Sequence, residues 1–315
     1  MGRKIVVRAD DVGYSDVYDL GVFDAIDHGV VTAVDVMLDS PAADRSLERL
    51  RKYPWLSVGW HLHFWNEPRL GADKVPSLVG SNGRFRKDLR TAMDASEKEL
   101  YAELSWEIEN CIRCLGRAPD TGESIFPDMK YPFDRAMGRV CEEFHIPYNY
   151  SRRVTGNPDG SFTISDEAGS RDKLFQEPCD QRWLDAQLYM ANPVCTAPET
   201  LCDSLREFSA TYDPVKFYTE DRCHLFDLPE NATLGNGWHP GYLDREVYYG
   251  GDIDSPIHIN FMLSRIVDIE ALCSQRMKDW IRENHIVLVN FRDALYGAND
   301  YQTHLRDIGS NLCML

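Results

Sequence analysis

Val6–Met37 reads VVRADDVGYSDVYDLGVFDAIDHGVVTAVDVM, and this stretch decides the architecture. An apolar run stops at two adjacent carboxylates, Asp10 and Asp11, and a glycine turn follows. A helical pattern then begins near Ser15, and a second β-rich run covers Val30–Leu38. Strand, helix and strand in so short a span predict a parallel βαβ unit. Neighbouring carboxylates repel one another and are costly to desolvate, so the pair needs either plain solvent or a positive partner.

Beyond this unit, short β-rich runs continue to alternate with amphipathic helical patterns. Strands are expected at Lys4–Ala9, Ser57–Phe64, Thr121–Phe126, Ile146–Tyr150, Ala232–Trp238 and Ile286–Phe291. Helices are expected to begin near Ser15, Ser40, Ser96, Phe133, Pro198 and Ser264. Ser40-Pro41 fits an N-cap and first helical position, and Ser96 with Glu99 has capping-box spacing. Asn82-Gly83 predicts a small hairpin. The span from about Tyr150 to Glu230 is the least regular and reads as loops with one or two helices. With no repeat, low-complexity tract or linker, residues 1–315 read as a single domain of an α/β parallel sheet or barrel.

The 315 residues are 43% hydrophobic and 11% aromatic, which is globular composition. No apolar run is long enough to span a membrane, and MGRKIVVRADD lacks a signal region, so a cytoplasmic protein is expected. A formal charge of −17 argues against nucleic acid as partner and suits a neutral or cationic substrate. Nine cysteines include one CxxC, Cys111 to Cys114, inside a helical stretch, and reduced thiols are expected.

Three polar clusters fall at the C-terminal ends of expected strands: Asp10-Asp11, His61-Leu62-His63, and His239 in GWHPGYLD. In a β/α barrel that face gathers the catalytic residues. Singly, each cluster fits a turn or a structural histidine as well as a site. Together, oxygen and imidazole donors suit a hard or borderline divalent metal. Strand alternation puts His61 and His63 on one side, so both could reach one ion. Trp60, Trp65 and Trp238 lie near the mouth, where an aromatic ring could stack on a sugar, though a core role fits each one alone.

The segment ADDVGYSDVYDLGVFDAIDHGVVTAVDVM resembles the opening of the YdjC-like carbohydrate deacetylases. SVGWHLHF is similar to their GLHL strand, VPSLVGSNGRF to their VPSLV…GRF insertion, and GWHPGYLD to their HPGY motif. RENHIVLVNFRDAL matches their last strand and helix. The resemblance implies a distorted (β/α) barrel similar to that of the polysaccharide deacetylases, and a metal-dependent hydrolase that removes N-acetyl groups from small amino sugars or oligosaccharides. It implies one divalent ion, Mg or Zn, with Asp11 and His61 as ligands. Asp10 would be the catalytic base and His239 the acid or a substrate contact, while His63 and Trp238 are candidates for substrate contact. An amino-sugar or oligosaccharide is the implied partner, and a homodimer is compatible with it.

One segment departs from that pattern. Where the family has a histidine-rich strand supplying the third ligand, GRAPDTGESIFPDMK places Ile125, Phe126 and Pro127. Glu123 and His63 are the candidates for that position. Two rival readings stay open: a sugar-binding pseudoenzyme of the same fold with a weakened or lost metal site, and a metal-free glycoside hydrolase using Asp10 and Glu123.

Overall fold

The computed structural model describes residues 2–64, 66–122, 129–147, 152–156, 162–165, 186–190, 213–220, 225–227, 230, 233–249 and 258–314. The quoted stretch forms β1 (Lys4–Val12), α1 (Asp16–His28) and β2 (Ala33–Met37). There follow α2 (Ala43–Leu50), β3 (Ser57–His61), α3 (Glu97–Leu115), α4 (Pro132–Glu143), β4 (Arg152–Gly156), β5 (Phe162–Ser165) and β6 (Ala186–Met190). The C-terminal third adds α5 (Pro214–Thr219), β7 (Thr233–Trp238), α6 (Arg245–Tyr249), α7 (His258–Cys273), α8 (Gln275–Glu283), β8 (Val287–Leu288), α9 (Phe291–Tyr296) and α10 (Asp300–Asp307).

Among the described residues, eight strands make one sheet in the order β3-β2-β1-β7-β6-β4-β5, with β8 laid against the start of β1. All pairings are parallel except β4 with β5. The expected α/β fold with a parallel sheet is therefore present, and β1 lies inside it between β2 and β7. Adjacent residues of β1 face opposite sides of the sheet. Ile5 and Val7 enter the large core with Val34, Leu47, Trp60 and Leu104, whereas Val6 joins Ala33, Val289, Phe291 and Leu295 on the other side. Burial on both faces explains why the strands read as continuous apolar runs rather than as an alternation.

Local chemistry accounts for most element ends. Ser15 caps α1 by accepting from the Tyr18 amide at 3.0 Å. Ser96 caps α3, but Glu99 does not reach back to it. Its carboxylate takes the amide and hydroxyl of Ser77, both at 2.8 Å, and the Ser96 amide donates to Ser77 Oγ instead. The Asn82-Gly83 turn is present, with Val79 bridging Phe85 and Gly83 at φ 77°.

Several expectations need correction. Ser40 does not cap α2; it closes a turn on Met37, and the helix starts at Ala43 after Ala42, which has no side-chain bond to give. Ser264 lies inside α7, which begins at His258. The last strand shrinks to Val287–Leu288, because Asn290 and Asp293 form a capping box that starts α9 at Phe291. Among its described residues, the irregular span holds the expected helix as α5, together with three strands, β4 to β6, that were not expected. Of the expected strand Thr121–Phe126, Thr121 bridges Gly59, and the part beyond Gly122 lies outside the described residues. Tyr148–Tyr150 and the helix start at Pro198 also lie outside them. Cys111 and Cys114 are buried free thiols within α3, as their helical context implies. Among the described residues, no helix is long and apolar enough to cross a membrane.

Candidate metal centre

The site begins with a break in β1. Its register against β2 shifts between Ala9 and Val12, and Asp11 has φ 62°. A left-handed residue at a bulge re-aims its side chain, and aspartate tolerates that conformation better than most residues. Regular alternation would send Asp10 and Asp11 to opposite faces, but here both carboxylates serve the same mouth. Gly13, at φ 92°, completes the turn, and its amide donates to Asp19 Oδ1 at 2.9 Å.

The neighbouring strands bring in the histidines. Met37 of β2 pairs with His61, the last residue of β3, and Trp238 of β7 pairs with Ala9, which sets His239 beside Asp10. His61 Nε2 stands 3.1 Å and His63 Nε2 3.2 Å from the same oxygen, Asp11 Oδ1. The two rings meet edge to face at 4.3 Å. The Leu62 carbonyl between them is held by Arg90 from the insertion. One carboxylate oxygen and two imidazole nitrogens thus converge, their candidate donor atoms all lying within 4.8 Å of one another. A carboxylate with two imidazoles is a donor set that suits a divalent cation.

Each carboxylate also has its own guanidinium. Arg8 reaches Asp10 through Nε at 2.5 Å and Nη2 at 2.9 Å, and its Nε lies 3.2 Å from Asp35 on β2. Asp11 Oδ2 lies 2.8 Å from Arg265 Nη2, contributed by α7. Asp11 is 1% and Arg265 2% exposed. Burial pushes the Asp10 carboxyl up, and the Arg8 guanidinium more than reverses this, leaving it below the usual aspartate value. For Asp11, burial is likewise outweighed, by Arg265 and by hydrogen bonds from His61 and His63, and its pKa falls well below that value. Both groups are ionised in this arrangement.

His239 Nε2 stands 3.9 Å from Asp10 Oδ2, with 31% of its side chain open to solvent. Its backbone amide donates to Asp268 on α7 at 3.0 Å. Although part of the ring meets solvent, its partial removal from water drives the imidazole down to about 4 against the pull of Asp11 and Asp10, so His239 is neutral at pH 7. The glycine that follows in HPGY is required by contact: a Cβ on Gly241 would sit 1.9 Å from the Tyr18 ring. Beside the centre lies a cleft of about 600 Å³, lined by Tyr14, Ser40, Phe64, Asn66, Arg84 and Phe85.

Asp10, Asp11, His61 and His239 therefore come together, and His63 joins them at Asp11. Glu123 and Trp65 lie outside the described residues. Trp238 is not at the mouth: it is 1% exposed and stacked on Tyr218 at 5.9 Å, because it belongs to the core side of β7. Trp60 is also internal, its indole donating to Glu107 at 2.9 Å. Sequence reasoning missed Arg8, Arg265, Tyr18 and Asp268. Arg8 had a signal, since it lies two residues before Asp10 on the same face of a strand.

Residues 4–283 match the family model described as YdjC-like protein. The chain belongs to the YdjC-like family. It is 35% identical over 290 residues to a carbohydrate deacetylase of Brevibacillus brevis, covering 92% of this chain and 99% of that one. It is 25% identical to the chitooligosaccharide deacetylase of Serratia marcescens over 301 residues, covering 93% of this chain and all of the relative. An Enterococcus faecalis crystal structure described as a cellobiose-phosphate cleavage protein shares the fold. Its TM-score is 0.63 at 23% identity, with 94% of this chain and all of that chain covered.

Proposed function

We propose that this protein is a metal-dependent carbohydrate deacetylase that hydrolyses the N-acetyl group of an amino sugar or short oligosaccharide. The observation that carries the reading is the convergence of His61 and His63 on one oxygen of Asp11, with ionised Asp10 beside it. Asp11, His61 and His63 are the residues that would hold a divalent ion, zinc or magnesium. His63 takes the third position that the departing segment leaves open. Bound there, the ion would polarise the acetyl carbonyl and acidify water.

The chain's own residues supply the rest. Arg8 holds Asp10 ionised and fixed by two hydrogen bonds, so Asp10 is the general base that removes a proton from the attacking water. Attack on the acetyl carbon, followed by C–N cleavage, yields acetate and a free amine, and the leaving nitrogen needs a proton. His239 is neutral at rest, so it cannot donate first. It lies beside Asp10 and is placed to receive the proton that Asp10 collects and to return it to the nitrogen. The cleft gives the sugar polar groups and the rings of Tyr14, Phe64 and Phe85.

Acetate release from N-acetylglucosamine oligomers tests the reading. The metal-loaded protein is expected to release acetate, and Asp10→Asn is expected to take up metal normally while losing release by a factor of roughly 10² to 10⁴. Metal uptake without acetate release from the wild type would leave a sugar-binding protein. Cleaved glycosidic bonds without acetate would point to a glycoside hydrolase.

A further inference from the structure

The two oxygens of Asp11 have different company. Oδ1 faces the imidazoles of His61 and His63, while Oδ2 faces Arg265 Nη2 at 2.8 Å. Arg265 also donates from Nη1 to the Tyr18 hydroxyl at 2.9 Å, and that hydroxyl donates to the Asp10 carbonyl at 3.0 Å. The Arg265 carbonyl in turn accepts the Gly241 amide at 3.3 Å. One guanidinium thus grips the side chain of the left-handed residue and, through a phenol, the backbone just before it. The Tyr14 and Tyr18 rings lie 5.6 and 4.9 Å from its centre, which leaves it little room to swing away.

We propose that Arg265 is a positioning residue that reserves one oxygen of Asp11, so that the carboxylate offers a divalent cation only the other. This rests on the reading of Asp11, His61 and His63 as ligands. A carboxylate free at both oxygens can bind a divalent ion through one or both. A fixed guanidinium at hydrogen-bond distance removes the second choice. The charge follows the same logic: an imidazole ligand brings no charge of its own, and the single negative ligand is shared between Arg265 and the ion. The arrangement trades metal affinity for electrophilicity, because an ion left under-neutralised draws harder on a carbonyl oxygen. A buried ion pair serving stability alone predicts the opposite response, since removing its cation would loosen Asp11 and weaken the site.

The test titrates Mn²⁺ or Zn²⁺ alone into metal-stripped wild-type protein, Arg265→Met and Arg265→Lys, with folding checked by circular dichroism. Arg265→Met is expected to bind the ion about tenfold more tightly than wild type, with kcat reduced and KM for the acetylated sugar little changed. Arg265→Lys keeps the charge at a shorter reach, and a gain of about threefold is expected. It carries the test if the methionine variant does not fold. Equal or weaker binding by the folded variants overturns the role given to Arg265. A wild-type protein that takes up no ion overturns instead the ligand reading beneath it.

Discussion

Asp11 carries the site because its backbone is unusual. At φ 62° it holds a conformation that costs on the order of 1 kcal/mol for a residue with a Cβ, and four partners hold it there: Arg265, His61, His63 and the Tyr14 amide that binds its carbonyl. Much of this is legible in the sequence. Asp10-Asp11, His61 and His239 declare themselves by falling at strand ends, and His63 by its two-residue spacing from His61. The question of what tolerates two adjacent carboxylates has its answer in two guanidiniums. Arg8 stands in the quoted stretch and was readable from alternation. Arg265 was not, because nothing local to ALCSQ or LSRIV ties it to β1; only the packing of α7 on α1 does. Trp238 misleads for a related reason, since proximity to HPGY in sequence does not say which face of β7 the ring takes.

A second residue-scale consequence concerns pH. Burial raises the Asp19 carboxyl to about 7, although it accepts from Ser46 and the Gly13 amide. The folded state then holds a proton that the unfolded chain has lost, so stability falls as pH rises from about 4 to about 7, by up to about 4 kcal/mol from this group. Asp10 and Asp11 act with the opposite sign: their depressed values add stability that is lost only below the ordinary aspartate range. Asp19→Asn keeps an acceptor for the Gly13 amide and, like a protonated carboxyl, can donate to Ser46, whose hydroxyl then donates to the Ala42 carbonyl. Urea unfolding of wild type and variant across this range is expected to show a flatter pH dependence for Asn. Parallel curves would show that Asp19 is not protonated in the fold.

At the scale of elements, the centre is assembled where β1, β3, β7, α1 and α7 meet. Gly21 and Gly241 allow that meeting: a Cβ on Gly21 would lie 2.6 Å from Ile269 and 2.8 Å from the Gly241 backbone, and one on Gly241 would enter the Tyr18 ring. Gly241→Ala must therefore push Tyr18 off the Asp10 carbonyl and away from Arg265. A loss of about 3 kcal/mol in stability, read by thermal unfolding, is expected together with weakened metal binding. An alanine variant as stable as wild type would mean that the turn moves freely. The helix starts were legible where a side chain caps them, as at Ser15 and Ser96. They were not at Ala43, where no side chain helps, nor at His258, where the first visible signal, Ser264, sits a turn and more inside the helix.

At the scale of the whole molecule, the alternating pattern was enough to expect a parallel sheet, but not the order of its strands. It was not enough for β4 to β6, whose polar, proline-bearing surroundings hide their periodicity. The sheet matters to function because it sets ligands from distant parts of the chain on one edge of one frame, so binding an ion should stabilise the whole. At about 100 times its Kd a divalent ion adds about 2.7 kcal/mol, a rise of a few degrees in Tm that a chelator reverses. Absence of any shift would speak against a formed site.

The most direct measurement is the metal content of protein purified without chelator, by mass spectrometry of wild type, Asp11→Ala and His63→Ala. The account predicts one divalent ion per chain in the wild type, none in Asp11→Ala, and well under one in His63→Ala. A wild-type chain without metal, or an Asp11→Ala chain that retains a full equivalent, would contradict it.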